Sequence, residues 1–151
     1  MWANYLIHSK FYGPQYDLTD KHFIFDLIRK IVNAKNGGDE VVLWGDGTQT
    51  RELIFIEDAI DIMLITMGNI DAPNVCNLSS GKSHSLKTYA KTICDIVDDN
   101  YELIKWDTNA FVGSKNKKLV NTQLKGYKFT PLKKGLKKTI QYYEDSISSS
   151  K

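Results

Sequence analysis

Apolar residues recur at three- and four-residue intervals in three separate stretches, and each stretch predicts an amphipathic helix. In the first, Ile24, Leu27, Ile28, Ile31 and Ala34 form one stripe over about Lys21–Asn36, with Thr19 or Asp20 as its cap and Gly37-Gly38 as its stop. In the second, Leu86, Ala90, Ile93 and Val97 give a helix over Leu86–Val97, capped by Ser85 or Ser83. The third runs over Leu132–Ile147, with Leu136, Ile140 and Tyr143 on one side and Lys133, Lys134, Lys137 and Lys138 mainly on the other. A fourth helix, Asp58–Met67, is apolar on most faces, which predicts a largely buried element that ends at Gly68. Asn121–Lys125 predicts one further helical turn closed by Gly126.

Alternating or β-branched runs mark the strands: Tyr5-Leu6-Ile7, Glu40–Trp44, Glu52–Phe55, Asn74–Leu78 and Tyr101–Trp106, with a short extended piece at Leu119-Val120. Phe11–Asp20, punctuated by Gly13-Pro14, and Asn109–Lys118 predict loops. Gly45-Asp46-Gly47, between two of the strands, predicts a hairpin turn. No repeat or domain linker interrupts this order. It predicts a small α/β unit with a mixed sheet of three or four strands and helices packed against it.

Size and charge narrow the picture only slightly. The 151 residues, 42% hydrophobic and 25% charged, fit one domain with its own core, and a net charge of +2 does not by itself imply a polyanion partner. The first eight residues lack the basic and long apolar regions of a signal peptide, and no segment could span a bilayer, so cytosol is the expected compartment. Cys76 and Cys94 lie in apolar patterns and predict buried, reduced thiols. His8, His22, His84 and the two cysteines show no zinc-type spacing, so no metal is expected.

The most specific stretch is Val42-Leu43-Trp44-Gly45-Asp46-Gly47, followed by Arg51-Glu52-Leu53 and an apolar run into Glu57-Asp58. It resembles the carboxyl-terminal half of extended short-chain dehydrogenases acting on nucleotide sugars (the NAD-dependent epimerase/dehydratase family), and within them most closely the GDP-L-fucose synthase group. Tyr12-Gly13-Pro14, His22-x-Ile24-x-x-Leu27-x-Arg29, Asn74–Gly81, Gly126-Tyr127, Pro131, Gly135-Leu136, Thr139 and Tyr142-Tyr143 match in consistent order from about Ile7 to Ile147. The resemblance implies a substrate-binding domain over residues 1–147, with residues 1–10 as the remnant of the last Rossmann strand, and residues 148–151 are expected to be a disordered tail. It places His22 as the catalytic acid of an epimerisation, since imidazole titrates near neutrality and can protonate a carbanion beside a ketone. It places Arg51 toward a diphosphate, with Lys30 and Trp44 lining the same cleft. The bland alternatives are an exposed His22 in a first helical turn, a solvated Arg51 and a core Trp44.

Two departures bear on the substrate site. Lys10 stands where the family usually has Asn before Tyr-Gly-Pro, and Ala110-Phe111-Val112-Gly113 replaces its Lys-Pro-Asp-Gly loop. No cofactor-binding residue is expected in this chain: Gly45-x-Gly47 lies between strands rather than at a strand-to-helix turn, and Tyr101-x-x-x-Lys105 falls in an expected strand rather than on a helix. The resemblance implies NADP for an intact member, a GDP-sugar or related nucleotide sugar as ligand, and a separately encoded Rossmann half or a homodimer as partner. A non-catalytic sugar-nucleotide or protein-binding module, or a gene remnant, is the alternative. Nine lysines between Thr108 and Tyr143, with no acidic residue among them, could hold a phosphate or nucleic acid, but the lack of arginine and of an RNA-binding motif in that stretch argues against nucleic acid.

Overall fold

In the computed structural model, residues 5–68, 75–119 and 126–149 are described. Met1 to Asn4, Asn74, Val120, the turn expected at Asn121–Lys125, and Ser150 and Lys151 lie outside them. The chain order is β1 (Tyr5–His8), β2 (Lys10–Tyr12), α1 (Phe23–Lys35), β3 (Val42–Trp44), β4 (Thr50–Phe55), α2 (Ile56–Met67), β5 (Val75–Leu78), β6 (Ser83–Ser85), α3 (Leu86–Val97), β7 (Lys105–Asp107), β8 (Asn116–Lys117) and α4 (Leu132–Ser148).

The fold is mixed α/β, but the strands divide among three small sheets rather than one. β1 pairs in parallel with β5, and β3 in parallel with β7. β4 is the centre of the third sheet, with β2 and β8 parallel to it and β6 antiparallel. β2 matches Leu53–Phe55 and β8 matches Thr50-Arg51, whereas β6 takes Thr50–Glu52 from the opposite direction. An edge of β4 can hold only one partner at a given residue, so β2 and β8 lie end to end along the same edge, opposite β6.

Helix α3 occupies the predicted span, with the Ser85 hydroxyl accepting from the Thr88 amide at 3.1 Å as its cap. Helix α1 starts at Phe23, two residues later than the sequence suggests. Its cap position is His22, and neither Thr19 nor Asp20 caps it; the Asp20 carboxylate instead accepts from the His22 amide at 2.8 Å. At its other end Gly37, at φ +86°, lets the Gly38 amide return to the Asn33 carbonyl. Helix α4 extends one residue past the expected end. Its Gly135 lies so close to β2 and β4 that a Cβ there would meet the Tyr12 hydroxyl at 2.5 Å. Ile24, Ile28, Ile31, Tyr89, Ile93 and Leu136 are fully buried, and with Tyr12, Leu53 and Phe55 they join α1, α3 and α4 to the β4 sheet in one core.

Four expectations fail for identifiable reasons. Gly45-Asp46-Gly47 is not a hairpin, because β3 and β4 pair with different partners; it is a corner that turns the chain from one sheet into another. Gly45 and Gly47 both have positive φ, and the Asp46 carboxylate ties the corner by accepting from the Thr48 amide and hydroxyl. Tyr101–Leu103 forms a 3-10 turn instead of the start of a strand, because the Asn100 side chain accepts from the Glu102 amide. Lys10–Tyr12 is a strand, not part of the following loop. Finally, α2 is not largely buried: Asp58, Ala59, Ile62 and Thr66 face inward, whereas Ile60, Leu64 and Met67, at four- and three-residue spacing, form an apolar exposed face.

Candidate substrate-binding site

Three of the residues singled out by the sequence come together around one cavity. Lys30 on α1, Trp44 at the end of β3 and Arg51 on β4 line a space of about 590 Å³ between the glycine corner and the first long helix. Phe23, Gln49 and Phe111 stand among its other walls, together with the charged Lys21, Asp26 and Arg29. Trp44 is 64% exposed and Phe111 86% exposed, so two aromatic faces stand at the mouth with no core role. Such faces are suited to a planar ring.

The fold holds Arg51 by its backbone and by one end of its side chain. The Tyr89 hydroxyl donates to the Arg51 carbonyl at 3.0 Å. Nη1 donates to the carbonyls of Thr50 at 2.8 Å and Ser114 at 2.9 Å. The guanidinium has five N–H groups, so three remain without a bond among the described residues. Lys30 is partly engaged, its ammonium 3.1 Å from the Asp26 carboxylate, which also takes Arg29 at 2.6 Å. Both cations lower the Asp26 pKa against the opposing effect of burial.

Gln49 was not anticipated. Its side chain is almost fully buried; Nε2 donates to the Trp44 carbonyl at 3.0 Å, while Oε1 has no partner among the described residues. The glutamine thereby braces the backbone that carries Trp44. No sequence motif marks it, since its role depends on the corner between two sheets.

His22 lies outside this cavity. It lines a second space of about 450 Å³, to which Arg51 and Phe23 also contribute, and a third beside the Tyr12-Gly13-Pro14 loop. Arg51 and Phe23 therefore form the boundary between the Trp44 side and the His22 side. The His22 ring packs against Phe23 and Phe25 at 4.9 and 6.0 Å, and its buried Nδ1 has no partner among the described residues. Burial first, and then the Lys10 charge, hold its pKa below the ordinary imidazole value, with Asp20 pulling the other way. The ring is therefore mainly neutral at pH 7. A neutral imidazole accepts a proton readily and must take one up before it can act as an acid.

Next to Arg51, Glu52 does structural work. It is 5% exposed, and its Oε1 accepts from the Ser79 and Ser80 hydroxyls and from the Gly81 amide, while Oε2 accepts from the Leu119 amide at 2.8 Å. One buried carboxylate thus fixes the turn after β5 and the segment after β8 against β4. Asp58 plays a similar part at the start of α2, accepting from the Thr130 amide and hydroxyl, both at 2.8 Å. Tyr101 and Lys105 share no helix face: the first lies in the 3-10 turn, and the second, on β7, contacts Glu40 at 2.5 Å. Among the described residues no group of three or more potential ligands could hold a metal, and no helix is long and apolar enough to cross a membrane.

Comparison with known proteins bears on the family and the fold. The family model described as NAD dependent epimerase/dehydratase matches residues 3–79. A GDP-L-colitose synthase of Yersinia pseudotuberculosis is 31% identical over 91% of the chain and 46% of its own length. A probable GDP-L-fucose synthase 1 of Oryza sativa subsp. japonica is 29% identical over 95% of the chain and 45% of its own length. A crystal structure of a GDP-L-fucose synthetase from Naegleria fowleri bound to NADP superposes with a TM-score of 0.86 at 22% identity, covering 97% of the chain and 48% of that protein. The chain therefore spans about half the length of the curated relatives it matches. A dinucleotide pyrophosphate is held where glycines at a strand-to-helix turn let backbone approach it. The two direct strand-to-helix crossings among the described residues, Phe55–Ile56 and Ser85–Leu86, carry no glycine and do not fit that role.

Proposed function

Since the chain belongs to the NAD dependent epimerase/dehydratase family, we propose that it is the substrate-binding portion of a GDP-L-fucose synthase-like nucleotide-sugar epimerase/reductase, residues 1–147 forming that domain. The observation that carries this reading is the convergence of Lys30, Trp44 and Arg51 on one cavity that meets the His22 cavity at Arg51 and Phe23. A nucleotide sugar has the matching sequence of parts. Its base lies against Trp44 and Phe111, its diphosphate receives the free N–H groups of Arg51 with Lys30 nearby, and its sugar extends toward His22. His22 serves there to give or take a proton at a carbon beside a ketone during epimerisation.

Hydride transfer belongs to NADP held by a Rossmann half that docks on this domain, the whole working in the cytoplasm. An apolar surface supports a partner of this kind. Ile60, Leu64 and Met67 on α2 are exposed, as are Ile7 and Val75 on the two-stranded parallel β1–β5 sheet. Parallel sheets are ordinarily covered on both faces, and exposed apolar faces mark contact surfaces. Calorimetry with GDP and GDP-mannose tests the proposal, run on this chain alone and after mixing with the amino-terminal half of GDP-L-colitose synthase. Binding in either setting supports the substrate role, and binding in neither refutes it. Binding by the chain alone, with no response to that half, favours a stand-alone sugar-nucleotide module.

A further inference from the structure

The His22 cavity carries more positive charge than a neutral sugar requires. Lys10 at the start of β2 pairs with Leu53, and Lys117 on β8 pairs with Arg51. Residues 51 and 53 of a strand point to the same face, so Lys10, Arg51 and Lys117 project from one face of the sheet where the ends of β2 and β8 meet. Lys118 lines the same space. None of these three lysines has an acidic partner among the described residues. The one carboxylate lining the cavity, Glu52, is already taken by its four donors. Ser9 and His22 also line the cavity, although the Ser9 hydroxyl and His22 Nδ1 are themselves buried beneath its surface with no partner among the described residues.

We propose that this notch is a subsite for a carboxylate on the sugar, so that the preferred ligand is a nucleotide sugar of the uronate type rather than a neutral hexose. The proposal rests on the substrate role above and adds the class of sugar. Lys21, Arg29, Lys30 and Arg51 line the Trp44 cavity against the one carboxylate of Asp26, enough to balance a diphosphate, so Lys10, Lys117 and Lys118 remain to balance a further anion. A carboxylate supplies one without enlarging the sugar ring, and it accepts from ammonium donors.

Calorimetry of the full chain with GDP-mannose and GDP-mannuronate, identical except at C6, provides the test. One charge-assisted hydrogen bond is expected to make the acid bind about tenfold tighter at low salt. Lys10→Gln should bring the acid down to the affinity of the neutral sugar, and Lys118→Gln should do so in part, with thermal melts confirming that each variant folds. Equal affinities in the unaltered chain overturn the subsite alone, as does a Lys10→Gln variant that keeps the preference. Failure of both sugars and of GDP to bind, by the chain alone and again after mixing with the amino-terminal half of GDP-L-colitose synthase, overturns the subsite together with the substrate role.

Discussion

Replacing Arg51 by alanine separates binding from stability. In the folded chain the guanidinium commits Nη1 to two carbonyls, one of them on the exposed loop at Ser114, and leaves three N–H groups for a ligand. Hydrogen bonds to charged groups contribute about 1.5–3 kcal/mol each. The site is open to solvent, so about 1.5–3 kcal/mol is a reasonable total for a bidentate contact with diphosphate. Because every 1.4 kcal/mol or so is tenfold in affinity, Arg51→Ala should raise the Kd for GDP by about 10- to 100-fold. Its effect on folding should be small, about 1 kcal/mol, because the carbonyls it releases can turn to water. The assay is calorimetry with GDP and with guanosine, which lacks the diphosphate, paired with urea unfolding. The expected result is a large loss for GDP, none for guanosine and a nearly unchanged unfolding midpoint. A GDP affinity within threefold of the unaltered chain, or equal losses for GDP and guanosine, would refute the role given to the guanidinium.

Three other outcomes follow from the same geometry. Glu52→Gln puts an amide donor where four donors already converge, so it should cost about 2–3 kcal/mol and lower the Tm by roughly 5–10 °C in a thermal melt; an unchanged Tm would contradict the buried knot. His22 has a depressed pKa in the fold, so as pH falls below its ordinary value of 6.5 the unfolded chain takes the proton first and stability is lost, down to the folded pKa. His84, also depressed by burial and then by Lys82, acts in the same direction. His22→Gln should therefore flatten, without abolishing, the acid limb of stability as pH falls below about 6.5, and an unaltered limb would count against the burial of the ring. Leu64 is 62% exposed, so Leu64→Glu should leave the melting curve nearly unchanged while weakening pull-down of the co-expressed amino-terminal half of GDP-L-colitose synthase; undiminished capture would remove α2 from that contact.

Much of the framework was legible because it is local. The stripes of α1, α3 and α4 depend only on helical spacing, and Ser85 announces its helix in the residue just before it. What escaped depends on distant partners. β2 is three residues beside a Gly-Pro pair, and it becomes a strand because Leu53–Phe55 lie alongside it. The glycine corner looks like a hairpin until β7 and β6 claim the strands on either side. Helix α2 has the composition of a buried element, and its outward residues fit a contact surface better than an interior. At the candidate site, Trp44, Lys30 and Arg51 are named by motif resemblance, and the fold brings them to one cavity. Gln49 and Ser9 gave no signal, since only the folded chain shows a buried polar atom without a partner. Lys10 could be noticed as a departure from the family pattern, but its placement near Lys117 required the junction of two strands.

The neighbours Arg51 and Glu52 show how closely holding and gripping are coupled on β4. Side chains of a strand alternate between its faces, so a slip of one position along β2, β6 or β8 would exchange the two residues. The cation would then sink into a pocket of hydroxyl and amide donors, and the carboxylate would face an incoming anion. Alignment of this single strand therefore sets the sign of charge that the cavity offers, and any change that loosens its pairing should cost recognition before it costs shape.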